Sequence, residues 1–294
     1  AFAHLDLGLM RETATKASGA LAAVPVGVKD VFDTHDLPTG HNSPIYANNQ
    51  PKIDAGLVAM VRAVGCVLPG KATTTEFAFL QPSEARNPHN TGYTPGGSSA
   101  GSAAGVAAGL FPIAIGSQTG GSMVRPASYC GVSGFKPSFR LLPTTGMKCF
   151  SWSLDTAGLF AKGARDTAAF LHAITGRDCL VREADTSAPK IGILEPTQFA
   201  DIEPAMAAAF ELCIKTAEKS GAVVTKIDLP EDMMAAFHAH KTIHDFEAGL
   251  ACADELLRFG SDMSDKLRET VEGGAKISPE TYDAARRAAI NGRR

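Results

Sequence analysis

The chain has 294 residues, 45% of them hydrophobic and 20% charged, an ordinary globular balance with room for one large α/β domain or two small ones. Its formal net charge is −3 and no basic run exceeds Arg293-Arg294, which argues against a nucleic-acid partner. From Asn87 to Val124, 38 residues pass without Lys, Arg, Asp or Glu, but nine are Gly, five are Ser, and Pro112 interrupts the most apolar part. A membrane-spanning helix needs about 20 predominantly apolar residues, mostly with larger side chains. This stretch instead reads as the interior of a soluble domain in which backbone packs on backbone, so no membrane partner is expected. The six cysteines (Cys66, Cys130, Cys149, Cys179, Cys213, Cys252) form no C-x-x-C pair and read as buried free thiols of a reducing, cytoplasmic setting. No signal peptide opens the chain, which begins at Ala1 and not at Met.

In chain order, Ala23 to Val31 (AVPVGVKDV) predicts a short strand ending at Lys29-Asp30, with turn residues through Pro44. Asp54 is placed to cap a helix over Ala55–Val64, with Gly65 as its C-terminal stop. Cys66-Val67-Leu68 predicts a buried strand, Ser99 to Ala108 a helix of small residues, Leu110 to Ile115 a strand, and Gly116 to Ser122 a glycine-rich turn. A second β-α-β pattern follows, with strand Lys190–Leu194, helix Pro204–Lys219 and strand Ala222–Asp228, Pro204 suiting a first turn and Gly221 a C-terminal cap. Beyond Glu231 the pattern is helical, broken at Gly273-Gly274 and Ser278-Pro279. Alternating strands and helices predict an α/β sandwich around a central sheet.

Three motifs bear on chemistry. Gly65 to Ala72 (GCVLPGKA) nearly spells a phosphate-binding loop, but Ala72 stands where the magnesium-binding Ser or Thr belongs. Gly97-Ser98-Ser99-Ala100-Gly101 matches the G-x-S-x-G elbow of esterases, yet Asn87–Pro95 before it is turn chemistry and not a strand. The histidines an elbow would need (His172, His238, His240, His244) lie largely in a helical stretch. The third constellation is more specific. Thr94-Pro95-Gly96-Gly97-Ser98-Ser99 precedes Gly116-Ser117-Gln118-Thr119-Gly120-Gly121-Ser122, placing a serine at the end of each double glycine. Glycines before a nucleophile let backbone N–H groups crowd a reacting carbonyl.

Here the chain resembles the amidase-signature family, most closely from Lys29 to Gly158. That family has a lysine in a V-K-D context, a serine in G-G-S-S and a serine in T-G-G-S, which match Lys29, Ser98 and Ser122. The resemblance implies an α/β fold, a three-layer α/β/α sandwich around a mixed central sheet. It also implies one domain over 1–294, with core motifs over 23–158 and a β-α-β and helical region over 189–294, incomplete at the C-terminal end. It further implies amide hydrolysis with no metal or organic cofactor, Ser122 as nucleophile, Ser98 on a cis peptide after Gly97, and Lys29 as general base. A lysine of this kind would otherwise read as a surface group or as the partner of Asp30. As a base it must be neutral at working pH, which burial favours by disfavouring the ammonium. Backbone N–H groups of Thr119, Gly120, Gly121 and Ser122 are expected to bind the oxyanion.

The chain departs from many family members in carrying Gln118 in place of Asp, and Arg125 three residues after Ser122 in place of two. With Asn87-Pro88-His89-Asn90 and Lys136-Pro137-Ser138-Phe139-Arg140, this resembles the malonamidase branch, whose matching arginine binds a substrate carboxylate. Arg125 is thus a candidate for binding a small amide such as malonamate, or equally a brace for a buried loop. The alternative from another class is the amidase-like subunit of a tRNA-dependent amidotransferase, and the least favoured is an α/β-hydrolase esterase. The expected partner is a small-molecule amide, and a homodimer is compatible with the sequence.

Overall fold

A computed structural model of the chain describes residues 1–182 and 188–293. Backbone contacts divide it into two compact units, Ala1–Val181 with Lys241–Tyr282, and Arg182–His240 with Asp283–Arg294.

The first unit begins with β1 (Phe2–Leu5), α1 (Leu7–Lys16), β2 (Val26–Lys29), α2 (Gly56–Ala63), β3 (Gly70–Ala72) and α3 (Ala100–Ala107). It continues through β4 (Ile113–Gln118), α4 (Val124–Cys130), β5 (Ser133–Phe135), β6 (Thr156–Ala161) and α5 (Ala164–Thr175). Its sheet runs β1-β3-β2-β4-β6-β5. The β3, β2 and β4 strands are parallel, and β1, β6 and β5 join antiparallel, so the central sheet is mixed, as the resemblance implies. Successive side chains of a strand point to opposite faces, and here each face has its own core. Val26, Val28, Ile113, Ile115 and Leu159 pack with α2 and α5. Ala114 and Phe160 pack with α3, α4 and Phe111. A Cβ on Gly27 would meet Phe111, so alternation also directs Lys29 to the α3 side.

The small residues of α3 serve a close approach. Gly101 donates its N–H to the Thr73 carbonyl at 2.9 Å, and a Cβ there would lie 2.5 Å from the Thr73 nitrogen. Ser102 Oγ donates to the Ile115 carbonyl at 3.0 Å, tying α3 to β4.

The second unit holds β7 (Lys190–Ile193), α6 (Pro204–Lys219) and β8 (Val223–Lys226), with β7 and β8 paired in parallel as the expected β-α-β. Pro204 occupies the first turn of α6, and Gly221 takes a φ of +91°. Helices α7 (Glu231–Ala251), α8 (Ala253–Phe259), α9 (Asp265–Gly274) and α10 (Pro279–Asn291) complete the chain, with breaks near Cys252 and over 260–264 that the sequence pattern does not announce. Among the described residues no helix is long and apolar enough to cross a membrane.

Several expectations are corrected. Cys66-Val67-Leu68 is buried but is not a strand; β3 begins at Gly70, where a Cβ would lie 2.1 Å from the His4 carbonyl oxygen, so only glycine admits β1 this closely. The strand expected over Leu110–Ile115 starts after Pro112, which has no N–H to give a ladder, and runs to Gln118 in register with β6. Asp54 does not cap α2; its carboxylate accepts from the His35 N–H at 2.9 Å and faces Arg62. All six cysteines are free, but Cys149, Cys179 and Cys213 are exposed.

The near-phosphate-loop lysine has a different task. Lys71 Nζ lies 3.0 Å from Asp30 Oδ1 and donates to Thr39 Oγ1 at 2.7 Å, with both charged side chains out of solvent. Breaking a buried pair by removing one partner costs about 3–5 kcal/mol because a charge is stranded. Lys71→Met should therefore lower stability by about that much in thermal or urea melts, and adding Asp30→Asn should recover part of the loss. An unchanged melt for Lys71→Met would contradict this assignment.

Candidate active site

Lys29 closes β2, and its side chain passes under α3 with no solvent exposure. Its Nζ lies 2.7 Å from Ser98 Oγ and 2.8 Å from Ser117 Oγ. Among the described residues no carboxylate touches it, and Asp30, its sequence neighbour, is held by Lys71. Burial is the main influence and drives Lys29 down to about 7, while the more remote Asp155 carboxylate pulls the other way. An amine in that range is substantially neutral near pH 7, the condition a general base must meet.

Ser98 is fully buried, and the Gly97–Ser98 peptide is cis. Its carbonyl accepts from Thr74 Oγ1 at 3.0 Å, the Thr75 N–H at 3.2 Å and the Ala100 N–H at 2.9 Å, which fixes the backbone around its hydroxyl. The neighbouring Ser99, which an esterase elbow would use as nucleophile, donates its hydroxyl to the Ser117 carbonyl at 3.2 Å and is likewise fully buried. The strand before it, β3, ends at Ala72 and turns and loops intervene, so the elbow geometry is not formed.

Ser122 lies in the turn between β4 and α4, 6% exposed, and its hydroxyl donates no hydrogen bond to the described residues. The backbone N–H groups of Gly120, Gly121 and Ser122 likewise have no partner among the described residues. The turn is shaped by Gln118, whose Oε1 accepts from the N–H groups of Met123 at 2.8 Å and Val124 at 3.2 Å. Thr119 Oγ1 donates to Asp155 Oδ1 at 2.6 Å.

Arg125 donates its Nε–H at 3.0 Å to the Gly97 carbonyl, the carbonyl of the cis peptide itself. Its terminal guanidinium nitrogens form no hydrogen bond or ion pair to the described residues, and it lines a cavity of about 230 Å³ with Thr75, Phe79, Leu80, Gly97 and Tyr129. The bracing contact anticipated as one alternative is thus made by the Nε edge, and the side chain also lines the cavity. Sequence reasoning misses Ser117 and Asp155. Ser117 sits inside the glycine-rich motif but reads as turn; Asp155 lies in no motif, and only the β4–β6 register brings it to Thr119.

The family model described as Amidase matches residues 8–280. A glutamyl-tRNA(Gln) amidotransferase subunit of Legionella pneumophila (strain Paris) is 38% identical over 229 residues, 71% of this chain and 47% of that protein. The chain thus spans about half the length of such curated relatives. A solved amidase structure superposes with a TM-score of 0.90 at 25% identity, over 100% of this chain and 70% of that one. The solved glutamyl-tRNA(Gln) amidotransferase subunit of Thermotoga maritima gives 0.76 at 31% identity, over 97% and 70%. Family match, mixed sheet and the clustered Lys29 and Ser98 agree, and the chain belongs to the amidase family.

Proposed function

We propose that this chain carries the catalytic core of an amidase that cleaves an amide C–N bond through an acyl-enzyme on Ser122. The observation that carries the reading is the solvent-free amine of Lys29, 2.7 Å from the Ser98 hydroxyl and driven down to about 7. A serine hydroxyl must lose its proton as it attacks. Ser122 Oγ attacks the carbonyl carbon and passes its proton to Ser98 Oγ, while Ser98 gives its own to Lys29 Nζ. Ser117 accepts a second hydrogen bond from the amine and keeps it aimed at Ser98. The carbonyl electron pair moves onto oxygen, where the N–H groups of Thr119, Gly120, Gly121 and Ser122 receive it; one such donor is worth about 3 kcal/mol. Collapse breaks the C–N bond, and the proton returns through Ser98 to the leaving nitrogen. Water then repeats the relay and frees Ser122.

Two finer readings share this chemistry. The curated relatives support a role as the amide-cleaving subunit of a tRNA-dependent amidotransferase, working with partner subunits. Arg125 supports selection of a small amide that also bears a carboxylate, malonamate in the malonamidase-like reading, because its free edge faces the cavity beside Gly97. A carboxylate-bearing amide fits either role. Free cysteines throughout are in keeping with a cytoplasmic setting.

Reaction of the full chain with a fluorophosphonate, followed by peptide mapping, should place the label on Ser122. A label on Ser98 or Ser99 would overturn the assignment. Arg125→Gln should lower kcat/KM about tenfold or more for an amide carrying a carboxylate, since each charge-assisted hydrogen bond is worth about 1.5–3 kcal/mol. A neutral amide of similar size should change far less; equal losses on both would assign Arg125 to bracing Gly97 alone.

A further inference from the structure

The turn that presents Ser122 is glycine-rich and has few side chains to anchor it: Gln118 holds its far end, and Thr119 ties its start to Asp155. The β4–β6 register pairs Gln118 with Thr156, which sets Thr119 and Asp155 side by side just past the end of the ladder. Asp155 Oδ1 accepts from Thr119 Oγ1 at 2.6 Å, and Oδ2 accepts from the N–H groups of Phe150 at 2.8 Å and Ser151 at 3.0 Å. Burial raises the Asp155 carboxyl above its usual range, and the three donors on its two oxygens, with the Lys29 charge, work against that rise and favour the ionised form. The segment that Asp155 closes is itself pinned, since Ser151 Oγ and the Ser153 N–H donate to Glu247 Oε2 of α7 at 2.6 and 2.9 Å.

We propose that Asp155 is a positioning residue for the amide cleavage, its carboxylate fixing Thr119 of the oxyanion turn and supplying the negative charge that faces Lys29. The proposal rests on the reading of Lys29 as base. Lys29 of β2, Cys149 of the preceding loop and Cys252 after α7 are the titratable groups that face Asp155, with Glu247 behind Ser151. Partial burial of its sulfur, with the Asp155 and Glu247 charges nearby, pushes Cys149 up to about 11, and full burial pushes Cys252 up to about 12, so both stay neutral where Lys29 titrates. Asp155 is then the carboxylate that the amine feels, and it raises the proton affinity of Lys29 against the effect of burial. One side chain thus couples the oxyanion turn to the base.

The test is the rate of fluorophosphonate labelling of the full chain between about pH 5 and 9. The wild-type rate should rise along a limb centred near 7. In Asp155→Asn the limb should move to lower pH, because a favourable charge is removed, and the plateau should fall by up to roughly 100-fold from misplacement of the turn. Thr119→Val should lower the plateau while leaving the limb in place. A limb in Asp155→Asn that stays at the wild-type pH, or a plateau within about twofold of wild type, overturns the proposal. If Asp155→Asn does not fold, an unchanged plateau in Thr119→Val overturns it instead. Absence of any limb in the wild type removes the base reading itself, and the proposal with it.

Discussion

A lysine amine taken out of water gives up the hydration that makes its ammonium form stable, and Lys29 gives up all of it. Its immediate neighbours are two serine hydroxyls, which accept hydrogen bonds but bring no compensating charge. The proposed chemistry depends on this poverty of partners, because a lysine resting on a carboxylate would hold its proton through the working pH range. Much of the first unit serves the same end. The β2 strand runs between β3 and β4, and α3 closes over its end with residues small enough for backbone to meet backbone at Gly101.

Lys71 is the internal comparison. Both lysines are wholly buried and both are driven down by burial, but Lys71 lies 3.0 Å from Asp30. The chain thus treats two adjacent buried amines in opposite ways, giving one a counter-ion and withholding it from the other. Other buried carboxylates follow the Lys71 pattern of full satisfaction. Glu247 accepts from Ser151, Ser153 and Tyr282, and Glu255 accepts from Tyr46 and Lys148. Interior charge without a partner is costly, so at Lys29 burial between two hydroxyls favours the neutral amine.

Local signals made much of this legible. The helix over Pro204–Lys219 shows its start in Pro204 and its end in Gly221, and the small-residue run before Ala108 could only be a closely packed helix. The serine behind the first double glycine and the lysine of the V-K-D run meet in a hydrogen bond, Lys29 to Ser98. What stayed hidden depends on partners distant in sequence. Strand β6 carries no alternation because both its faces are buried, and β1 is defined by its pairing with β3. Asp54 looks like a helix cap until the distant His35 N–H takes its carboxylate, which also faces Arg62 of α2 itself. Ser117 and Asp155 gain meaning only once β2, β4 and β6 lie side by side.

The central claim, that burial keeps Lys29 neutral near neutral pH, is open to direct observation without any substrate. In the full chain with isotopically labelled lysine side chains, an ε-carbon resonance should titrate at about 7 and vanish in Lys29→Ala. The usual value for a lysine amine is about 10.4. If the Lys29 resonance instead titrates near that usual value, the amine is an ordinary ammonium under working conditions and cannot take the proton from Ser98.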